Sequence, residues 1–496
     1  MWKACVAVIV CGIVLVAYAQ APQPDAAAIL KAATTAMGAD NLKAVEFAGN
    51  GWDGCLGQAW NVLDGKWARW ELKDYDRTID YEAGSSRHTA QQRAGMDPQA
   101  VGGCGAVPGA APRAQQSNIT STSPWTQQLQ IFLTPYGFIR LARDNNPAAE
   151  SQTVGGRRMN VVTFSVTRGN ETYRMRGYFT PENVLEKVET WIDDPIFGDM
   201  LVEAEFSGYR AFEGLRFPGR ILHKQGGLGI FELTVDKVVV NPAAAAPAPQ
   251  AAAGRGTGAG GAAGAGGGAG RGAGAAPAAP AAPVEMAPGV FVFDGAYQAV
   301  AVAFNDYSIV IDGMQNEART RAVIAQTKQA IPGKPIRYVV VTHTHFDHVT
   351  GLRDFVAEGT TILTHESSVK FFERALSTPR TINKAEAKPA GTPKVQAVGE
   401  KLVLQDGKQT VELYRIRGHV HADDMLIAYI PSAKTIVESD LVQPWISPQF
   451  TNVGYLSSLA KELERLKLNY ESFVSIHRPT PPPTVSRADF LKAAGL

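Results

Sequence analysis

Cysteine is scarce in this chain, with four among 496 residues. Charge of either sign is also nearly balanced: 48 basic against 47 acidic residues leaves a formal net charge of +1. A balance this close offers no basic stripe to collect a phosphate backbone, so nucleic acid is not an expected partner. The longest apolar run, Ala4 to Tyr18, is fifteen residues, short of the roughly 20 that a membrane-spanning helix needs. Lysine at position 3 precedes that run and Ala17-Tyr18-Ala19 follows it as a small-x-small cleavage signature. Residues 1–19 therefore read as a removable export signal, with no stable membrane anchor, and the mature protein is expected in the periplasm or outside the cell. Removal takes Cys5 and Cys11 away and leaves Cys55 and Cys104, which an oxidising compartment would allow to pair.

Large side chains are missing from one long stretch as well. Pro242 to Pro283 is almost wholly Ala, Gly and Pro, with Arg255 and Arg271 its only charges. Such a segment cannot build a core and reads as a flexible tether with a reach of roughly 35 Å. It divides the chain into residues 20–241 and 284–496. Upstream, Asp25 to Val45 reads as one amphipathic helix. The segments 158–167, 171–179, 184–192, 200–209, 216–224 and 230–240 are rich in β-branched and aromatic residues and separated by turn formers. An antiparallel β domain with an N-terminal helix is expected there, and it weakly resembles the half-barrels of periplasmic lipoprotein carriers. His88 and His223 stand alone in it, and Gly226-Gly227-Leu228-Gly229 lacks the helix and acidic residue of a dinucleotide fingerprint.

Downstream the texture alternates between strand and helix. Strands are expected at 289–294, 300–304 and 308–312, a helix at 316–331, a strand at 335–341 and a helix from Val349. A helix at 455–467 and a last one opened by Ser486, with Asp489 three residues on, complete the pattern. The strand ending at Val341 delivers Thr342-His343-Thr344-His345-Phe346-Asp347-His348. Imidazole and carboxylate are the donors that Zn²⁺ and related ions prefer. Four such groups within six positions would each cost about 1 to 3 kcal/mol if buried unpaired, and a metal is the partner they can share. Neither Cys55 nor Cys104 lies near them, so thiolate ligation is not expected.

These residues, with His421, Asp440 and His477 in order behind them, resemble the metallo-β-lactamase-fold superfamily of metallohydrolases. The resemblance covers about Glu285 to Leu496. It implies an α+β architecture in which two sheets lie between helices in four αββα layers, with the metal site at one edge. It also implies two metal ions, zinc or else iron or manganese. His343, His345 and His421 would hold the first, Asp347, His348 and His477 the second, and Asp440 would span both, with Asp347 the candidate catalytic residue. His419 competes with His421 for the lone-histidine role, and Arg478-Pro479 follows His477 where many relatives have glycine. His365 is expected near the mouth of the site but not as a ligand. Asp423 and Asp424 either orient ligands or cap a turn.

The implied chemistry is an exported hydrolase that activates hydroxide for attack on an ester, thioester, lactone or amide bond of a small molecule. An acidic residue at the bridging position is the pattern of the superfamily's thioester hydrolases and lactonases; the β-lactamases closest in spacing carry Cys there. Three other readings stand beside it: a β-lactamase, an iron persulfide dioxygenase, and an apolar-ligand-binding module on a metal-stabilised scaffold. Ser367-x-x-Lys370 has the spacing of a serine β-lactamase motif but none of its partner motifs, and reads as a surface helix.

Overall fold

The computed structural model describes residues 24–62, 66–93, 111–243, 282–295, 297–387, 392–442, 454–477 and 484–496. The expected export signal, Cys104 and nearly all of the Ala/Gly/Pro stretch lie outside them. Cys55 is disulfide-bonded; Cys5, Cys11 and Cys104 all fall outside the described residues. Among the described residues, no helix is long and apolar enough to cross a membrane.

The chain begins with helix α1 (Ala26–Ala36), capped by the Asp25 carboxylate, which accepts from the Ala27 amide. The expected helix to Val45 stops early. Gly38 takes the left-handed φ of +68°, and a Cβ there would sit 2.1 Å from the Gly214 carbonyl oxygen. Only glycine fits that crossing, and the chain turns into strand β1 (Ala44–Asn61).

Strand β1 belongs to an antiparallel sheet of eleven strands. Its other members on the N-terminal side are β2 (Lys66–Asp80), β3 (Ser85–Arg93) and β4 (Arg113–Ile119). Next come β5 (Ala148–Val154), β6 (Arg157–Arg168), β7 (Glu171–Phe179), β8 (Leu185–Asp194) and β9 (Gly198–Ser207). A short two-stranded ribbon, β10 (Arg210–Phe212) with β11 (Leu215–Phe217), precedes β12 (Arg220–Gln225) and β13 (Leu228–Val240). Spatial order runs β4-β3-β2-β1-β13-β12-β9-β8-β7-β6-β5, so the long first strand pairs with the last. The strands expected from 158 onward are present within a few residues, except that 216–224 divides at Pro218-Gly219 into β11 and β12. The strands β1 to β5 and the helices α2 (Trp125–Phe132) and α3 (Pro135–Arg143) carry weaker sequence patterns and were not expected.

The C-terminal region stacks two sheets. A seven-stranded sheet holds β14 (Val284–Ala287) to β17 (Ser308–Ile311), then β18 (Ile336–Val340), β19 (Thr361–His365) and β20 (Lys394–Val398). A six-stranded sheet holds β21 (Lys401–Gln405), β22 (Thr410–Arg415), β23 (Leu426–Ile430), β24 (Thr435–Glu438), β25 (Ser472–Ser475) and β26 (Val485–Ser486). Val300, Ile309 and Ile311 from one sheet meet Leu413, Leu426 and Val437 from the other in an apolar core. Helix Tyr455–Leu466 and helix Arg487–Ala494 cover the outside of the six-stranded sheet through Leu459, Leu463 and Phe490. Helices α4 (Glu317–Ala330), α5 (Leu352–Ala357) and α6 (Val369–Ser377) cover the other sheet through Val323, Phe355 and Phe372. These are the four αββα layers.

The described residues of the two halves pack against each other. One apolar cluster runs from Ile29, Trp67 and Phe197 in the first half into Phe355, Phe371 and Phe372 in the second. Phe346, between His345 and Asp347, packs edge-on against Trp67 and Phe197. Polar groups lock the same seam. Arg380 holds Asp193 through two hydrogen bonds of 2.6 and 2.9 Å, and Asp199 caps the Thr381 and Ile382 amides. Burial of this joint is what fixes the first domain against the edge of the second that carries residues 343–348.

Candidate metal centre

Four loops at one edge of the sandwich supply the site. The segment 343–348 follows β18, His421 lies between β22 and β23, Asp440 follows β24 and His477 follows β25. Strand ends suit this purpose because the chain leaves the ladder there and its side chains are released toward a common point. Asp440 and the buried Asp312 both adopt left-handed backbone, with φ of +60° and +54°, a conformation that aspartate tolerates better than most residues at a cost of about 1 kcal/mol or more.

All seven residues expected from the sequence come together. His343, His345, His421 and Asp440 form one group able to hold a metal, and Asp347, His348, Asp440 and His477 form another, the donor atoms of each lying within 4.8 Å of one another. Asp440 belongs to both. Its carboxylate faces four imidazoles, with Oδ2 at 2.8 Å from His348 Nε2, 3.2 Å from His343 Nε2 and 3.4 Å from His421 Nε2, and Oδ1 at 2.9 Å from His477 Nε2. Imidazole nitrogens also face each other: His348 and His477 approach to 2.9 Å and His343 and His421 to 3.2 Å. Protons cannot satisfy so many converging lone pairs in a buried pocket without charging most of the rings. Divalent cations can, and the all-nitrogen-and-oxygen donor set fits them.

Hydrogen bonds on the far side of the rings fix which nitrogen faces the pocket, as metal-binding imidazoles require. His348 directs Nδ1 at the Asp312 carboxylate, 3.0 and 3.1 Å away, which leaves Nε2 for the site. Asp312 in turn accepts from Thr342 Oγ1 at 2.6 Å and from Ser439. His345 is turned the other way. Its Nε2 donates to the Ala59 carbonyl at 3.1 Å, and its buried Nδ1 has no protein partner. Asp347 accepts from the Tyr297 hydroxyl at 2.8 Å and from Gln58 Nε2 at 3.0 Å.

Burial and charge act in opposite directions here. Burial alone disfavours the charged ring of His348, yet the carboxylates of Asp312, Asp347 and Asp440 overcome it and hold the imidazole well above its usual range. For His343, burial wins, aided by the neighbouring His348, and pushes it down to about 4. Burial would raise Asp440, but His477, His348 and His421 hold it well below the ordinary carboxylate range.

The competing histidines separate on geometry. Both ring nitrogens of His419 are engaged: Nε2 lies 3.2 Å from the Tyr455 carbonyl, and Nδ1 accepts from the His421 amide at 3.2 Å. It is therefore outside both metal groups. His365 is buried with Nδ1 on Ser367 Oγ at 2.7 Å, and it belongs to neither group. Ser367, the serine of the Ser-x-x-Lys spacing, is the one tied to His365, and its neighbour Ser368 is buried and donates to Asp424 at 2.7 Å. Asp423 binds Arg415 at 3.0 Å. In the first domain, His88 is tied to Arg77 and Ser117, and neither it nor His223 enters a metal-holding group among the described residues. Asp312, Tyr297, Gln58 and Ala59 were missed in the sequence. Asp312 closes an ordinary-looking strand, and the others lie 50 to 289 positions from their partners.

Residues 293–472 match the model of the metallo-beta-lactamase superfamily. No curated protein matches the chain at a significant level. Solved structures similar to it include a metallo-beta-lactamase from Pontibacter korlensis, 16% identical, covering 43% of this chain and 96% of that one with a TM-score of 0.34. Another is a metallo-beta-lactamase from Erythrobacter litoralis, 16% identical over 43% of this chain and 94% of that one, TM-score 0.33. The stereoselective inverting sec-alkylsulfatase Pisa1 from Pseudomonas sp. is 15% identical over 43% of this chain and 41% of that one, TM-score 0.33. On the match of residues 293–472 to that superfamily's model, the C-terminal region of this chain has the metallo-beta-lactamase fold.

Proposed function

We propose that the protein is a metal-dependent hydrolase with a two-metal centre, acting on an ester, thioester, lactone or amide bond of a small molecule. His343, His345 and His421 would hold one ion, Asp347, His348 and His477 the other, and Asp440 would be shared. The observation that carries this reading is the Asp440 carboxylate set among four imidazole nitrogens at 2.8 to 3.4 Å. Zinc is the first choice of metal, with iron or manganese compatible with the same donors. Such ions, when bound, supply Lewis acidity and lower the pKa of water to about 7.

The chain's own residues then have definite tasks. Asp312 accepts the Nδ1 proton of His348 in a hydrogen bond and so aims Nε2 at the pocket. Tyr297 and Gln58 hold one oxygen each of Asp347, which fixes the carboxylate plane. Tyr297 also lays its ring 4.2 Å from that of His477, shielding that side of the pocket. Export fits the disulfide at Cys55, since such bonds persist in oxidising compartments. The test is metal analysis of the purified protein, with wild type and Asp347→Ala compared on generic esters, thioesters, lactones and nitrocefin. Wild type should carry two equivalents and turn over one class, and Asp347→Ala should lose that turnover. A metal-free, inactive wild type would sink the reading, and iron with oxygen uptake would replace it by an oxygenase.

A further inference from the structure

The last residues of strand β1 reach the metal centre from the other domain: Gln58 and Ala59 touch its donors, and Gly57, Trp60 and Asn61 touch the loops that carry them. Gly57 lies against Phe346 so closely that a Cβ there would be 2.4 Å from the ring. Gln58 donates to Asp347 Oδ1 at 3.0 Å and the Ala59 carbonyl accepts from His345 Nε2 at 3.1 Å. Trp60 Nε1 donates to the His419 carbonyl at 3.3 Å, and the Trp60 carbonyl accepts from the Asp423 amide at 2.8 Å. Asn61 completes the series with a 3.4 Å bond to Asp423 Oδ2.

We propose that this strand end is a positioning element of the metal centre, so that the N-terminal domain is an obligatory part of the site rather than a separate binding module. The inference rests on the metal-hydrolase reading and deepens it. Its force lies in what the strand grips. His345 is in the first metal group and Asp347 in the second, so one strand sets one donor of each. A carbonyl oxygen can only accept, so Ala59 fixes the proton of His345 on Nε2 and leaves Nδ1 for the pocket. Trp60 and Asn61 grip the ends of the loop 419–423, which carries His421. Two of the four ligand-bearing loops are therefore held from outside their own domain.

Two substitutions in the full-length protein separate the gripping contacts. Gln58→Leu keeps the bulk and removes the donor to Asp347. Trp60→Phe keeps a ring and removes the donor to the His419 carbonyl. Zinc stoichiometry and stepwise affinity, read by competition with a chromophoric chelator, should show the second ion weakened about tenfold in Gln58→Leu with the first unchanged. Trp60→Phe should weaken the first ion and spare the second. Loss of melting temperature with both affinities intact, or equal weakening of both ions in both variants, would overturn the proposal. A wild type that binds no zinc would defeat the hydrolase reading itself, which keeps the two failures apart.

Discussion

Replacing Arg353 by methionine should separate the seam between the halves from the metal chemistry. Arg353 is 6% exposed and spends its guanidinium on four backbone carbonyls. Nε donates to Pro195 at 3.1 Å and NH2 to Ile196 at 2.8 Å, both in the first domain. NH1 donates to Thr378 at 2.8 Å and NH2 to Ala375 at 2.9 Å, at the C-terminal end of α6, where carbonyls lack helical partners and a cation is favoured. Burial, with Arg380 nearby, pushes the guanidinium down to about 10, still charged at neutral pH. Each orphaned carbonyl costs about 1 kcal/mol net. Relief of the buried charge offsets part of the sum, and a loss of about 3 to 4 kcal/mol is expected, a large share of a total stability of about 5 to 15 kcal/mol. Urea unfolding followed by tryptophan fluorescence should show this as a lower midpoint at unchanged slope. Arg353→Lys should recover little, because an ammonium cannot span four acceptors that a planar fork reaches. A loss below about 1 kcal/mol would refute the claim that these bonds hold the seam.

Three further outcomes follow from the geometry. Saturating the metal-stripped protein with zinc at a hundredfold excess over each dissociation constant should add about 5 kcal/mol for two independent sites; Asp440→Ala should abolish the gain and His477→Ala should keep about half, as read by thermal melts. Burial raises the Asp53 carboxyl to about 6 against the opposing pull of Gln92 and Arg113. Its folded pKa thus exceeds the unfolded one, so its own contribution to stability is fully present below about pH 4 and about 3 kcal/mol of it is lost as pH rises through 6; Asp53→Asn should remove that component, and a pH-independent difference from wild type would contradict it. Gly57→Ala adds a methyl 2.4 Å from the Phe346 ring at a φ of +92°, and should cost about 2 to 4 kcal/mol while impairing zinc uptake, whereas an unperturbed melt would show that the contact is loose.

The metal centre was largely legible in the chain because its densest part is local. Four donors of the 343–348 segment follow one buried strand, and periodicity reads such a strand well. His421, Asp440 and His477 were found only through their order and spacing, and the choice between His419 and His421 needed the hydrogen bonds that engage both nitrogens of the former. The first domain was half legible. Strands β6 to β9 and β13 have strong alternation, whereas β1, β3 and β4 are rich in Gly, Gln, Arg and Ser and β2 carries a charge at about every second residue, which weakens the period-two signal.

The sequence by itself determined the donor types, the sheet-and-helix texture of the C-terminal region and the β character of what precedes it, because each of these is written in residues close together along the chain. Only the tertiary structure decided that β1 ends against the metal loops, that Asp312 aims His348, and that Arg353 joins the halves. Those contacts span 36 to 289 positions, and side-chain spacing in one strand carries no record of the surface that folding will bring against it.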